Sequence, residues 1–148
     1  MPSSPFLVHP IGCIHKQEGQ VWVEVDAPFR EAMLGLSEFS HIYVFYWLHE
    51  NDAPQQRAVL QVHPRKNPRN PLTGVFATHA PVRPNLIAMT RCRVISVTEA
   101  RIYLDAIDAR DGSPLIDIKC YIPHDKEQFP VRVPSWVHQN NAEIRMDE

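Results

Sequence analysis

Polar side chains capable of holding a ligand lie between residues 74 and 89, a stretch that contains two closely spaced prolines. Each proline fixes the backbone φ and removes an N–H donor, so neither a strand nor a helix continues through it. The residue before a proline is also held in an extended conformation. The sequence therefore predicts a stiff loop that presents His79, Arg83 and Asn85, a suitable setting for a ligand site. A proline-rich turn with no ligand is the alternative.

A second candidate for chemistry is the charged pair Asp117 and Lys119, which falls in an otherwise apolar segment. Alternation along a strand places both residues and Tyr121 on one face. Opposite charges on such a face need partners or water. Two interpretations remain open: a surface ion pair worth less than ~1 kcal/mol, or a face that lines a ligand pocket.

Metal binding and the common nucleotide motifs find no support in the residue pattern. His41 and His49 are eight residues apart in a predicted strand, a span of roughly 26 Å, which is too long for one ion. His63 and His79 have no cysteine or acidic pair to complete a ligand set, so we predict no metal. The Gly-rich signatures of Rossmann and P-loop proteins and the GxSxG motif of serine hydrolases are also absent from the sequence.

The elements that must position these residues are predicted to be short strands joined by turns. Residues 20–25 alternate strictly, and residues 41–49 are apolar on both faces, which is typical of a fully covered central strand with its aromatic side chains in the core. Asp26 and Pro28 suit the start of one short helix that ends at Gly35. Further strands are predicted at 6–15, 57–63, 75–78, 87–97, 101–107 and 115–121, with a loop at 63–71 and a turn at 110–113. The fold class is all-β, a single antiparallel barrel with one short helix.

Length and composition indicate one domain of 148 residues, with a core over 5–124 and a polar tail over 125–148. Proline, at 14 residues, is about twice as frequent as its usual share. The three cysteines are scattered, which suits a reducing compartment. No apolar run approaches the ~18 residues of a membrane span, and the N-terminus lacks the features of a signal peptide. We therefore predict a cytoplasmic protein with no membrane association.

The net charge of −2 conceals an uneven distribution. Between Ala53 and Thr98 there are seven basic residues and no acidic residue, so this block carries +7 and the rest of the chain −9. A basic block of this kind can mark a surface for anions or nucleic acid. A solvated basic face that is balanced by neighbouring acids is the alternative.

Several longer motifs resemble the TrmO family, also called TsaA-like, YaeB-like or UPF0066. The resemblance extends from about Val8 to Pro123, and its two most specific parts are Gly74–Asn85 and Asp111–Lys119. It implies an antiparallel barrel that binds S-adenosylmethionine without a Rossmann fold, usually as a homodimer. It also implies methylation of the N6 nitrogen of threonylcarbamoyl-adenosine beside the tRNA anticodon. A small-molecule acceptor and a non-catalytic sensor that binds the same cofactor are the alternatives.

The resemblance implies specific cofactor contacts: Phe76, Ala77, Thr78, His79, Arg83, Asn85, Leu86, Asp117, Lys119 and Tyr121. Phe76 or Tyr121 would stack on the adenine, Arg83 or Lys119 would pair with the carboxylate, and Asp117 would favour the cationic groups. The basic block would meet tRNA phosphates, with Arg65, Lys66 and Arg69 as the candidates. Methyl transfer needs alignment more than a strong base, so the catalytic residues are left unassigned.

The chain departs from the family pattern at five positions of these motifs. The family usually has arginine, serine, proline, glycine and proline where this chain has His79, Ala80, Leu86, Ala88 and Cys120. The first change removes a permanent fork of donors and leaves a side chain that is neutral at most physiological pH. We expect cofactor binding to survive these changes.

Overall fold

The computed structural model describes residues 4–124 and 130–138, and their contacts group into two compact units. The barrel unit comprises Met1–Trp47 and Met89–Tyr121, and the second unit comprises Leu48–Ala88 and Ile122–Glu148. The strands are β1 Gly12–Gln17, β2 Gln20–Val25, β3 His41–Trp47, β4 Gln61–Val62, β5 Thr73–Gly74, β6 Ile87–Val97, β7 Arg101–Leu104 and β8 Pro114–Cys120.

Six strands of the described chain close an antiparallel barrel in the order β1-β2-β7-β6-β3-β8, which confirms the predicted fold class. Its core is made by the inward positions of each strand, among which Ile14, Val23, Ile42 and Ile102 are fully buried. Burial of branched aliphatic side chains contributes about 25 cal/mol for each Å² removed from water. The apolar residues that alternate along the sequence therefore provide the inward side chains of this core.

The β3 strand is not the fully covered strand that its composition predicts. Its burial alternates along all seven residues, with Ile42, Val44 and Tyr46 inside. Tyr43, Phe45 and Trp47 are half-buried on the outer face, so assignment of the aromatic residues to the core is right for Tyr46 and wrong for these three. The reason is architectural, since a barrel buries only one face of each strand whatever the composition of the other.

A bulge in β8 decides which of its residues point outward. Phe45 pairs with Asp117 and the next residue, Tyr46, pairs with Leu115, so Ile116 is left without a partner on β3. The extra residue allows Leu115 to be buried in the core while Asp117, two positions later, is exposed. The predicted common face of Asp117 and Lys119 is confirmed, and it is the outer face of the barrel.

Several predicted element boundaries are wrong. The first strand begins at Gly12 instead of residue 6, and β7 ends at Leu104 instead of residue 107. Residues 57–63 contain only the two-residue strand β4, preceded by the α-helical turn Pro54–Arg57. Beyond Gly12 and Leu104 the ladders continue as isolated hydrogen bonds, from the Ile11 N–H to the Leu115 carbonyl and from the Asp105 N–H to the Arg93 carbonyl. Regular pairing, rather than local propensity, therefore sets the strand ends.

The turn and helix signals are better predictors. The predicted helix is the 3-10 helix Ala27–Met33, although the Asp26 side chain makes no capping hydrogen bond. Gly35 has a φ of 87° and Gly112 a φ of 83°, so both glycines occupy the left-handed conformation that their turns require. The β2 and β6 strands begin and end at the residues predicted.

The predicted polar tail begins in residues 125–129, which lie outside the described residues, as do 139–148. Between them, residues 130–138 include the 3-10 helix Ser135–His138 with a buried Trp136. A helix long and apolar enough to cross a membrane is not found in the described part of the chain.

Candidate functional site

The loop predicted from its prolines lies in the second unit and begins with a helical turn. Residues Val75–Ala77 form a 3-10 helix directly after β5, so the strand predicted at 75–78 is wrong. The backbone N–H of Val75 donates to the Leu60 carbonyl at 2.9 Å, and the Val75 side chain is buried. Because β5 pairs with only two residues of β4, the chain leaves the sheet at this point.

Thr78 closes the turn from inside. Its buried hydroxyl donates to the Val75 carbonyl at 2.8 Å and accepts the Ala80 backbone N–H at 3.1 Å. The second bond satisfies the Ala80 N–H, and the first adds to the Val75 carbonyl, which also accepts the Thr78 backbone N–H at 3.1 Å. The consequence is a fixed loop from which Phe76, Ala77 and His79 are exposed.

Phe76 is the most exposed aromatic residue of this loop, with 82% of its surface accessible. A single exposed apolar side chain is ordinary in a folded protein. On a backbone that is fixed on both sides, however, an exposed ring offers a flat apolar surface at small entropic cost. The position suits stacking against a planar ligand.

Arg83 folds back on the same loop. Its Nη1 group donates to the carbonyls of Thr78 at 3.3 Å and Ala80 at 3.0 Å. Its Nε and Nη2 groups have no hydrogen-bond partner among residues 4–124 and 130–138, and the side chain is half-buried. Arg83 thus braces the loop while keeping donors for an anion such as a carboxylate.

Two further predicted site residues differ in accessibility. Asn85 is exposed, whereas the Leu86 side chain is fully buried and its carbonyl accepts the Leu48 backbone N–H at 2.9 Å. The preceding carbonyl, of Pro84, accepts a hydrogen bond from Arg57 Nε at 3.0 Å. These bonds anchor the end of the loop, and only Asn85 is presented to solvent there.

The other predicted residues belong to the barrel unit. Asp117 and Lys119 are exposed on β8 beside Phe45 and Tyr43 of β3. The Asp117 carboxylate accepts the Ile118 backbone N–H at 2.8 Å, and neither charge forms an ion pair within the described residues. The interpretation as a surface ion pair is therefore wrong for this structure.

Tyr121 lies at the end of the same strand within a group of rings. The ring centroids of Tyr43 and His41 lie 5.6 and 6.1 Å from that of Tyr121, both in edge-on orientation. The Arg91 guanidinium lies over the Tyr121 ring, 5.1 Å from its centroid. These contacts hold the Tyr121 side chain in one position.

The second unit also contains a cavity of about 170 Å³ that the sequence did not predict. It lies between residues 62–66 and 78–82, so Thr78 and Ala80 contribute to its wall. The lining residues are Asn51, Val62, His63, Pro64, Arg65, Lys66, Thr78, Ala80, Pro81 and Val82. The two segments that line the cavity are separated in the sequence. The repeated prolines were the one sequence feature that indicated a rigid lining.

The three candidates for RNA contact are not equivalent. Arg65 donates through Nη1 and Nη2 to the carbonyls of Trp136 and Val137, both at 2.9 Å. Lys66 and Arg69 are exposed, and their side-chain nitrogens have no hydrogen bond to any described residue. Lys66 and Arg69 are thus available to phosphates, whereas Arg65 connects two segments of its own unit.

Two of the cysteines, Cys13 and Cys92, are poor candidates for a nucleophile. Burial, followed by the nearby charges of Asp105 and Asp108, raises the pKa of Cys92 to about 12. Burial also raises the pKa of Cys13. Both thiols are therefore protonated at neutral pH. No group of three metal-ligating side chains occurs in the part of the chain that the structure describes.

The closed antiparallel barrel that the described residues form places the chain among small β-barrel proteins, a different architecture from the doubly wound parallel sheet of Rossmann proteins. The chain belongs to the family of the tRNA-methyltransferase O N-terminal domain, whose model matches residues 5–126.

Known relatives support this membership. A probable S-adenosyl-L-methionine-binding protein of Pyrococcus horikoshii is 45% identical over 82% of this chain and 86% of its own length. The mouse tRNA (adenine(37)-N6)-methyltransferase is 35% identical over 78% of this chain, which spans only 26% of that protein. A crystal structure of TrmO from Pseudomonas aeruginosa aligns with a TM-score of 0.68 and 28% identity, over 91% of this chain and 63% of its own.

Proposed function

We propose that this protein binds S-adenosylmethionine and transfers its methyl group to the N6 nitrogen of an adenine in tRNA. The observation that carries the proposal is the 35% identity with a mouse protein named for this reaction. The specific acceptor that we propose is threonylcarbamoyl-adenosine beside the anticodon. The fixed loop and the unpaired charges described above suit such a ligand.

The loop of the second unit suits an adenosine and a carboxylate. Phe76 offers an exposed ring for stacking, and the backbone of Ala77 and His79 is accessible next to it. Arg83 keeps Nε and Nη2 donors for a carboxylate. Thr78 fixes the turn that presents these residues. Asn85 and Leu86 are the remaining proposed contacts of the loop.

The outer face of β8 suits the charged part of the same cofactor. Asp117 is an exposed carboxylate that favours a cationic ammonium or sulfonium, and Lys119 is an exposed cation for a carboxylate. Tyr121 would supply a ring that its neighbours already hold in place. We propose these three residues as cofactor contacts in their own right.

When bound, S-adenosylmethionine would supply an electrophilic methyl group on its sulfonium for transfer to the N6 nitrogen. The contribution of the protein is alignment, because a held nucleophile and methyl group convert a bimolecular step into a unimolecular one. A strong base is not required, and we assign none.

The tRNA would be held through its phosphates. We assign this role to Lys66 and Arg69, while Arg65 fixes the loop that presents them. We further propose that the protein acts in the cytoplasm as a homodimer and that residues 1–148 form one domain with a core over 5–124.

Calorimetric titration with S-adenosylmethionine, followed by methyl transfer to tRNA with and without the threonylcarbamoyl group, tests the proposal. We expect saturable cofactor binding, at least tenfold weaker in Arg83→Ala because a charge-assisted bond is lost. The Arg83→Lys variant keeps the charge but not the fork, so we expect an intermediate affinity. Unchanged affinity in Arg83→Ala would remove that residue from the site.

A second function, cofactor binding with a small-molecule acceptor or without catalysis, is favoured by one observation. The Pyrococcus relative of similar length is named only for binding, and the chain spans 26% of the mouse methyltransferase. Cofactor binding without RNA-dependent turnover would support this second function and contradict the first.

A further inference from the structure

Six of the seven lysine and arginine side chains of the barrel unit fall into two groups. Three of them donate to carbonyl or carboxylate oxygens within this unit: Lys16 to Ile107 and Ala109, Arg30 to Val25, and Arg101 to Glu24. The side chains of Arg91, Arg93 and Lys119, in contrast, make no hydrogen bond or ion pair with any residue that the structure describes. The first group therefore stabilises the fold, whereas the second group is available to a partner.

The three available cations share the outer face of β6, β3 and β8, where β3 lies between the other two strands. Arg91 and Arg93 are exposed on either side of the buried Cys92, so both point away from the core. Lys119 is exposed and pairs with Tyr43 of β3. We call this set, together with His41 and Tyr121, the outer basic face.

Aromatic contacts fix the position of one cation without consuming its donors. The Arg91 guanidinium lies 5.1 Å from the Tyr121 ring centroid, and the rings of Tyr43 and His41 pack against Tyr121 at steep interplanar angles of 67° and 63°. A cation–π contact is not a hydrogen bond to an acceptor atom, so it leaves the guanidinium donors to bind an anion. Binding then costs less side-chain entropy than it does for an unrestrained arginine.

The acids on and beside this face form no ion pair with its arginines. Asp117 accepts the Ile118 backbone N–H, and Asp105 accepts the backbone N–H groups of Arg93 and Ala106. Neither carboxylate pairs with Arg91 or Arg93. Exposed cations interleaved with aromatic rings are the combination that binds single-stranded nucleic acid, through phosphates and stacked bases.

We infer that the outer basic face binds a single-stranded segment of RNA, with Arg91 and Arg93 as phosphate contacts and Tyr121 as the positioning residue for Arg91. This inference rests on the proposed tRNA substrate and adds a surface to it. Charge complementarity selects RNA as the occupant, because three available cations would repel one another across an interface between two copies of this face.

The test measures binding of a fluorescein-labelled RNA hairpin with the sequence of a tRNA anticodon stem-loop over a range of salt. We expect the Arg91→Ala, Arg93→Ala double variant to lose affinity at least tenfold at low salt. The slope of log K against log salt should also become shallower by roughly 0.7 for each lost contact to a single strand. Arg110→Ala, which removes an exposed charge from the turn before β8, is the matched control and should change affinity little.

Two further variants separate position from charge. Arg91→Lys keeps the charge but loses the planar fork, so an intermediate affinity is expected. Tyr121→Leu should weaken RNA binding in the wild-type background and have no further effect in Arg91→Ala, because a positioning residue acts only through its partner. Additive losses of affinity would overturn the positioning role.

The experiments distinguish a failure of the RNA-binding inference from a failure of the proposed methyl transfer. Salt-dependent RNA binding that requires Arg91 and Arg93 supports the inference even if no methyl transfer is found, an outcome that would contradict the proposed function alone. Methyl transfer to tRNA with unchanged RNA affinity in the double variant would overturn the inference alone. Absence of RNA binding in the wild-type protein, or a double variant that changes only cofactor affinity or self-association, would also overturn it.

Discussion

At the residue scale, the candidate loop depends on one hydroxyl. Thr78 both donates to the Val75 carbonyl and accepts the Ala80 N–H, and its side chain is buried. Thr78→Val keeps the shape and removes both bonds, so we expect the free energy of unfolding to fall by about 1–3 kcal/mol. Urea unfolding measures this loss. Thr78→Ser retains the hydroxyl and should recover most of the stability, and equal stability of the valine variant and the wild type would contradict the role.

The second residue-scale prediction concerns Cys92. Burial of the thiol raises its pKa from an ordinary 9.0 to about 12. Above pH 9 the unfolded chain loses a proton that the folded chain keeps, so the free energy of unfolding should decrease as the pH rises from about 9 to about 12. Below pH 9 this residue contributes no pH dependence.

The measurement compares urea unfolding of the wild type and Cys92→Ala at pH 8 and pH 10.5. The wild type should lose more stability between these two values than the variant. Tyr46, whose pKa burial also raises, adds a loss that both proteins share. Equal losses in the two proteins would contradict the assignment. In the folded state we also expect Cys92 to be alkylated more slowly than the half-buried Cys120.

At the element scale, the contact between β1 and β2 depends on a missing side chain. A methyl group at Gly12 would overlap the backbone carbonyl oxygen of Glu24, its neighbour on β2. Backbone cannot move aside as a flexible side chain does, so we expect Gly12→Ala to cost about 3 kcal/mol or more. Thermal unfolding followed by circular dichroism measures the cost.

The matched control for this prediction is Gly74→Ala. Gly74 has an extended backbone conformation with a φ of −64°, and the nearest atom to an added methyl group is the Leu60 carbonyl oxygen at 3.9 Å. The substitution should leave stability unchanged or raise it by about 0.4–1 kcal/mol through the unfolded state. Equal effects at the two glycines would show that crowding against Glu24 is not the cause.

At the scale of the whole molecule, Arg65 joins segments that are 71 residues apart in the chain. Its guanidinium donates to the Trp136 and Val137 carbonyls and lies 5.6 Å from the centroid of the Trp136 ring. Arg65→Ala should therefore lower the free energy of unfolding by about 2–3 kcal/mol and expose Trp136. Urea unfolding and the red shift of the Trp136 contribution to fluorescence, obtained by difference from Trp136→Phe, measure both effects.

Two controls accompany this prediction. Arg65→Lys keeps the charge but cannot reach both carbonyls with a planar fork, so we expect little recovery of stability. Lys66→Ala, at the exposed neighbouring residue, should leave stability unchanged and weaken only the binding of RNA. An Arg65→Ala variant that is as stable as the wild type and keeps Trp136 shielded would contradict the proposed role of Arg65 in joining the two segments.

The sequence by itself determined the features that depend on local sterics and periodicity. Alternation defined β2, the strand content of residues 87–97 defined β6, and the glycines marked the turns at Gly35 and Gly112. Proline spacing located the rigid loop that holds Thr78 and Arg83. These features follow from φ, ψ and side-chain period, which neighbouring residues fix.

Only the tertiary structure decided what depends on partners distant in the chain. Barrel closure left the outer face of β3 only half-buried, although both faces of this strand are apolar. The β5 strand has only two residues of β4 to pair with, so Val75–Ala77 forms a 3-10 helix instead of extending the strand. The basic block read from the sequence likewise divides into arginines that bind carbonyls, such as Arg65, and cations that remain available, such as Arg91. Hydrogen bonds between distant residues form only after the chain has closed the loops between them, so no local pattern reports them.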